Sequence, residues 1–346
     1  MAFKITIAGS QTQFIAEGRE SILDAGLRQG VHLPYGCRSG QCGACRARLI
    51  EGQVVPREGS GADQAGAGET LPQQDILLCQ TRAGGDVTIA IRELPEAMKM
   101  PIQLLPARVE SILPVSRSVT VLTLKTSVHS PLQFLPGQYV DFLLDDGKRR
   151  SFSLASSEIG SRLEFHIRHL PGGLFSDRQM RNLRPRDIVR IEGPFGRFYL
   201  RDSGRPLLFV AGGTGFAPVK AVLEQLWRGG RLQRRVFLYR GVRHSSDLYM
   251  EEVIAGWRAR YPTFRYVPVV SDPHDDLQWK GRTGLVHEAV LADVSDLVDF
   301  DVYACGPPAM VQALSEALFQ RGMDPQHFYS DAFLPAPDAI TSVRDG

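Results

Sequence analysis

The first stretch of the chain alternates apolar and polar positions in short bursts, KITI, QTQFIAEG, RARLIEGQVV and VTIAI, broken by one segment of helical period, ESILDAGLRQG. Period-two alternation sends successive side chains to opposite faces of a strand, so residues 1–92 read as a small sheet with one helix. The polar stretch EGSGADQAGAGET reads as a loop, and LPEAMKMPIQLLP, with Pro95, Pro101 and Pro106, as a linker. Residues 104–200 carry only strand patterns: ARVESILPV, SVTVLTLKT, QYVDFLLDD, RRSFSLAS, LEFHIRHL and DIVRIEGPFG. Short strands at that spacing predict an antiparallel barrel. From 201 to 335 apolar strands alternate with amphipathic helices: PLLFVAGG before APVKAVLEQLWR, RRVFLYRG before SSDLYMEEVIAGWRARY, FRYVPVVSD before VHEAVLADV, and DVYACGPP before AMVQALSEALFQRG. That alternation predicts a parallel sheet covered on both faces, with a nucleotide at the carboxyl ends of its strands.

Composition agrees with several domains. At 346 residues the chain exceeds the usual size of one core, and 43% hydrophobic with 23% charged residues is ordinary for a globular protein. A net charge of +2 gives no basic stripe for nucleic acid. No apolar run approaches the length of a membrane span, and the N-terminus lacks the apolar centre and cleavage site of a signal peptide. The expectation is a cytoplasmic protein without nucleic-acid or membrane partners. In a reducing compartment, clustered cysteines point to metal binding or catalysis rather than to disulfides.

The cysteines are clustered. PYGCRSGQCGAC places Cys37, Cys42 and Cys45 at C-x4-C-x2-C spacing, and Cys79 follows in LLCQTRA. This is the plant-type spacing of ligands to a [2Fe-2S] cluster. Gly36, Gly40 and Gly43 allow the loop to curl and to aim backbone N–H groups at sulfur. The competing reading is a closed tetrahedral zinc site, although zinc knuckles favour two separated C-x2-C pairs. Cys305 lies in another region and is no ligand candidate.

A cluster that moves single electrons needs a source. In RRSFSLASS the alternate residues Arg150 and Phe152 share one face of a strand, and Ser153 follows. A flavin nucleotide asks for a cation at its pyrophosphate, an aromatic ring against its ring system and a hydroxyl near its N5. LPGGLFSD offers Gly172, Gly173 and Ser176 before a helical stretch, an arrangement suited to the same pyrophosphate. VAGGTGFAP, with Gly212, Gly213, Thr214 and Gly215, resembles a phosphate-cradling turn without matching a dinucleotide or Walker pattern. YACGPPAMV sets Cys305 at a strand end. Taken singly, these segments are equally read as a plain barrel strand, tight turns and a packed cysteine.

Taken in order, the four cysteines, RSFS, GGLFS, GGTGFAP, CGPPAM and FYSDAF resemble the ferredoxin-NAD(P) reductase family fused to an N-terminal plant-type ferredoxin domain. The likeness covers residues 1 to about 335. That arrangement is found in reductase components of bacterial oxygenases and in CDP-6-deoxy-glucoseen reductases. The fold it implies is multidomain: a β-grasp-like α+β ferredoxin domain (1–92), an antiparallel β-barrel flavin domain (104–200) and an α/β parallel-sheet nucleotide domain (201–335).

Carried over position by position, the resemblance implies Cys37, Cys42, Cys45 and Cys79 as cluster ligands. Arg150, Phe152, Ser153, Gly173 and Ser176 would hold FAD, with His166 and Arg168 on the second flavin-contacting strand. Gly213, Thr214 and Gly215 would meet the nicotinamide dinucleotide, and Cys305 with Gly306 would border the nicotinamide. Phe333 resembles the family's terminal aromatic near the flavin, and Ser153, Cys305 and Phe333 are the residues expected closest to the chemistry. Phe152 stands where the family usually has tyrosine, so stacking is kept and a phenolic hydrogen bond is lost.

In VVSDP, Asp272 would repel a 2′-phosphate and accept from a 2′-hydroxyl, which favours NADH over NADPH, with Arg240, Arg243 and Lys280 nearby in sequence to offset it. The implied path runs from NADH to FAD to [2Fe-2S] to a partner protein, either an iron-sulfur dehydrase acting on a nucleotide sugar or a Rieske or di-iron oxygenase. Residues 1–100 carry ten Lys/Arg and eleven Asp/Glu, net −1, too little charge to advertise steering. A reading of another class, a non-catalytic zinc-binding scaffold, stands beside the reductase.

Overall fold

The computed structural model describes residues 2–31, 33–35, 40, 45–57, 74–91, 100–230, 233–273, 276 and 278–333. The expected loop EGSGADQAGAGET, the first six residues of the linker and the positions of Cys37 and Cys42 lie outside them. The chain divides into two compact units, Met1–Ile102 and Gln103–Gly346.

In the first unit β1 (Ala2–Ile7) pairs antiparallel with β2 (Gln13–Glu17) and parallel with β7 (Val87–Ala90). The sheet continues through β3 (Arg46–Glu51) to β5 (Asp75–Leu77), in the order β2-β1-β7-β3-β5. β4 (Val54–Pro56) and β6 (Thr81–Ala83) form a separate ribbon. Thus RARLIEGQVV, read as one strand, is two strands turned at Gly52, whose φ is +96°. Helix α1 (Ile22–Arg28) buries Ile22, Leu23 and Ala25, and its N-cap Ser21 accepts from the Asp24 N–H through its hydroxyl.

The second unit begins with a six-stranded antiparallel sheet in the order β11-β10-β13-β8-β9-β12. Its strands are β8 (Gln103–Pro114), β9 (Val119–Lys125), β10 (Tyr139–Leu143), β11 (Arg149–Ser153), β12 (Arg162–Arg168) and β13 (Ile188–Phe195). An antiparallel bridge from Leu154 to Phe165 brings the two outer strands together and closes the barrel. Phe134, Phe142 and Phe165 fill its interior. The end of the expected linker is strand instead: β8 starts at Gln103 and runs through Pro106. There it pairs with β13 alone, because β9 joins only from Arg108, so a residue without an N–H leaves no ladder bond unmade.

The rest is a parallel sheet in the order β17-β16-β15-β14-β18-β19. It comprises β14 (Leu207–Gly212), β15 (Val236–Val242), β16 (Phe264–Val270), β17 (Arg282–Thr283), β18 (Asp301–Gly306) and β19 (Phe328–Ala332). β14 and β18 are buried throughout, as continuous apolar runs require. On one face α2 (Phe216–Arg228) and α3 (Glu251–Arg260) pack around Phe209, Phe216, Trp227 and Trp257. On the other α4 (Val286–Asp293) and α5 (Pro308–Gln320) cover Val210, Val302 and Leu314. Strand order reverses between β14 and β18, so the crevice for a ligand lies beyond their carboxyl ends.

Candidate functional site

In the first unit the antiparallel register of β3 with β5, Arg46 opposite Leu77, brings two distant cysteines together. Leu78 N–H donates to the Cys45 carbonyl at 3.0 Å, and the Cys45 and Cys79 sulfurs stand 3.2 Å apart, both buried. Paired, buried thiols at the rim of a glycine-bearing loop suit the iron of a [2Fe-2S] cluster. Cys37 and Cys42 belong to the residues not described.

In the second unit the site begins on β11. Arg150 and Phe152 lie on one face, opposite Phe142 and Val140, and the Phe152 ring meets Phe142 and Phe175 with centroids 5.2 and 5.1 Å away. Ser153 points the other way, as alternation demands, and donates from Oγ to Asp331 Oδ2 at 3.2 Å. Gly173 opens the π-helical turn Leu174–Gln179. Inside that turn the Ser176 hydroxyl accepts from Leu170 N–H, and its carbonyl meets His169 Nδ1 at 3.0 Å.

β12 faces the nucleotide sheet with alternate residues. Glu164 accepts from Lys220 Nζ at 3.2 Å, and Lys220 also meets Glu224 at 3.0 Å. Burial alone would raise the Glu164 carboxyl, but the His166 hydrogen bond and the Lys220 charge prevail and hold it at about 2. The His166 side chain is fully enclosed, with Nε2 on Glu164 at 3.0 Å and Nδ1 on the Tyr249 hydroxyl at 2.8 Å. Burial pushes its pKa down. Both ring nitrogens are therefore engaged at the seam between barrel and nucleotide sheet. Arg168, exposed, reaches over the next turn: a Cβ placed on Gly213 would stand 3.7 Å from its Nη1.

The GGTG turn after β14 and the CGPP turn after β18 interlock. A Cβ at Gly215 would lie 2.1 Å from the Cys305 carbonyl oxygen. At Gly306, where φ is +142°, it would lie 2.8 Å from the Gly212 Cα. Neither position admits a larger residue without moving backbone. Thr214 is buried between them. Cys305 is buried opposite Asp331 in the β18–β19 register, and burial, then the nearby carboxylate, pushes its thiol well up. Burial also lifts Asp331 to about 6 against the pull of the Ser153 hydrogen bond. Phe333 follows, its N–H on the Gly306 carbonyl at 2.9 Å and its ring against the core that contains Phe216.

Beyond β15 and β16 a cavity of about 530 Å³ is lined by His244, Ser245, Glu251, Asp272, Asp276 and Trp279, among others. Asp272 is half-buried and pairs with Arg243 at 3.5 Å. Asp276 accepts from Ser245 Oγ at 2.6 Å, and that bond with the Gln278 N–H holds its carboxyl below the usual range. Arg240 is buried, donating to the Tyr249 carbonyl and to Glu251, with its guanidinium 4.2 Å over the Phe216 ring. Of the nearby cations noted in the sequence, Arg240 and Arg243 are thus paired, and Lys280 is an exposed residue next to Trp279.

Sequence reasoning passed over Asp331, although it stands inside the quoted FYSDAF, because nothing in local spacing announces that this segment is a sixth strand beside Cys305. It also passed over Glu251, Asp276 and Trp279, which the turns after β15 and β16 bring to Asp272. No helix among the described residues is long and apolar enough to cross a membrane.

Three family profiles match in turn: a 2Fe-2S iron-sulfur cluster binding domain over residues 5–84, an oxidoreductase FAD-binding domain over 106–199 and an oxidoreductase NAD-binding domain over 209–316. The chain is 38% identical to protein RfbI of Salmonella typhimurium, over 96% of this chain and 97% of that one. It is 36% identical to the CDP-6-deoxy-L-threo-D-glycero-4-hexulose-3-dehydrase reductase of Yersinia pseudotuberculosis, over 97% and 100%. Terephthalate 1,2-dioxygenase reductase component 2 of a Comamonas species is 37% identical, over 97% and 99%. Among solved structures, the Amycolatopsis cytochrome P450 reductase GcoB superposes with a TM-score of 0.77 at 32% identity, over 96% of this chain and 99% of that one. With a cluster domain, a flavin barrel and a nucleotide sheet in this order, the chain is an NAD(P)H-dependent electron-transfer oxidoreductase and belongs to the ferredoxin-NAD(P) reductase family that carries an N-terminal plant-type [2Fe-2S] domain.

Proposed function

We propose that this chain draws electrons specifically from NADH and delivers them to an iron-sulfur dehydrase acting on a nucleotide-linked sugar; the Yersinia relative is named as the reductase of a CDP-hexulose dehydrase. The second reading, delivery to an oxygenase, is favoured by the equal likeness to the terephthalate dioxygenase reductase. Functional segments run over 1–92 for the cluster, 104–200 for FAD and 201–335 for the nucleotide. The setting is the cytoplasm, where thiolate ligands stay reduced.

Bound FAD and [2Fe-2S] supply the exchange between a two-electron donor and one-electron steps. The protein's residues bind and orient. Cys37, Cys42, Cys45 and Cys79 are assigned to the cluster. Arg150 and Phe152, with Gly173 and Ser176, are assigned to FAD, and Arg168 to the rim between FAD and nucleotide. His166, with both nitrogens in use, holds β12 against the nucleotide sheet, so its part in the flavin site is to position the strand. Gly213, Thr214, Gly215 and Gly306 let the nucleotide approach backbone. Ser153 and Asp331 hold a proton between Oγ and Oδ2 beside Cys305, while Phe333 closes the site against water.

The single observation that carries the reading is the convergence of Ser153, Cys305 and Asp331 from the barrel and two strands of the nucleotide sheet. Three carboxylates around the cavity beyond β15 and β16, Glu251, Asp272 and Asp276, support NADH, because a 2′-phosphate would meet their charge. The test is an anaerobic visible spectrum before and after NADH, followed by assays with each candidate acceptor protein. Flavin and [2Fe-2S] bands bleached by NADH are expected, and a colourless protein prepared without cofactor loss would overturn the reading.

A further inference from the structure

Beside the paired thiols stands a side chain that no ligand pattern requires. Gln80 is half-buried, and its Nε2 lies 3.4 Å from the Cys79 sulfur and 3.2 Å from the Cys79 carbonyl oxygen. A carbonyl only accepts, so the amide turns its N–H edge toward this corner, and the sulfur receives the donor rather than the amide oxygen. Gln80 is held there at its stem and at its backbone. A Cβ added to Gly40, at φ +84°, would stand 2.7 Å from Gln80 Cγ, so the loop backbone rests on its stem. Arg57 N–H donates to the Gln80 carbonyl at 2.7 Å, and Arg57 Nη1 donates to the Cys79 carbonyl at 3.4 Å.

We infer that Gln80 is a tuning residue of the iron-sulfur centre: its amide N–H donates to the Cys79 sulfur and raises the reduction potential. This rests on the assignment of Cys45 and Cys79 as ligands. The physical reason is charge. An added electron increases the negative charge on the ligand sulfurs, so a fixed donor stabilises the reduced state more than the oxidised one. Loss of this donor is expected to shift the one-electron equilibrium about tenfold toward the oxidised centre, about 59 mV in potential.

The test is a redox titration of the full-length, cofactor-loaded protein, followed by the EPR signal of the reduced centre. Gln80→Leu should lower the potential of the centre by that amount and leave the flavin potential unchanged. Gln80→Glu, of the same size but without the donor, should lower it at least as far. Pulsed EPR of the parent protein labelled with 15N-glutamine should detect a nitrogen with an exchangeable proton coupled to the reduced centre. That measurement decides the matter if the variants fail to assemble. An unchanged potential in Gln80→Leu carrying its centre, or no such coupling in the parent, overturns the proposal alone. A parent protein lacking [2Fe-2S] absorption overturns the ligand assignment and the proposal with it.

Discussion

The thiol corner of the first unit and the Ser153–Asp331 junction of the second are built in opposite ways. Cys45, Arg57, Cys79 and Gln80 lie within 35 positions of one another and are fixed by one strand pair and a few local hydrogen bonds. The junction needs residues 178 positions apart, brought together by a barrel strand and the last strand of a parallel sheet. The first depends on pairing within one small unit. The second depends on two sheets seating against each other, so damage should spread differently from each.

The sharpest way to separate them is Cys79→Ser. Reduction of one-electron protein acceptors should vanish while NADH-driven reduction of a dye that draws on FAD persists, and equal loss of both in a folded, flavin-loaded variant would break the comparison. Gly215→Ala is the converse. With its Cβ forced 2.1 Å from the Cys305 oxygen, it should cost about 3 kcal/mol in denaturant unfolding of the second unit and abolish nucleotide binding, leaving the [2Fe-2S] bands intact.

Asp331→Asn probes the junction more gently. With a folded value of about 6 against 3.8, the folded chain keeps a proton that the unfolded chain releases. Stability from this group therefore falls as pH rises from 3.8 through about 6, and the full cost, about 3 kcal/mol at most, is present at neutral pH. The asparagine variant should unfold later than the parent at pH 7 by about 1–3 kcal/mol, with the gain gone below about pH 4, and it should reduce its flavin more slowly. Asp272→Ala should narrow the preference for NADH about tenfold in the ratio of kcat/KM values, and an unchanged ratio would remove Asp272 from the nucleotide site. The smallest effect expected is from Ser21→Ala, about 1 kcal/mol of first-unit stability through the lost cap on α1.

How much of this was legible in the chain follows the same division. Alternation and helical period announced the small sheet, the barrel strands and the strand-helix repeats, because each pattern reflects burial along one segment. Cysteine spacing announced the 2Fe-2S domain, because three of the four candidate ligands are close in sequence. Asp331 was not legible as a partner of Ser153, since the edge strand that carries it acquires meaning only by pairing with β18. His166 looked like one more strand residue facing a flavin. Its hydrogen-bond partners are Glu164, two positions away on the same strand, and Tyr249, which β12 meets only by packing against a turn far later in the chain.

The link from Ser153 to Asp331 also bears on how such chains are assembled and exchanged. A gene fusion that grafts the first 102 residues onto another reductase carries Cys45, Arg57, Cys79 and Gln80 together. A graft cut between barrel and nucleotide sheet separates Ser153 from Asp331, Glu164 from Lys220 and Ser118 from Asp247 in one stroke. Recombination can treat the iron-sulfur unit as a cartridge, whereas the flavin and nucleotide halves must be inherited as a matched pair down to the final strand.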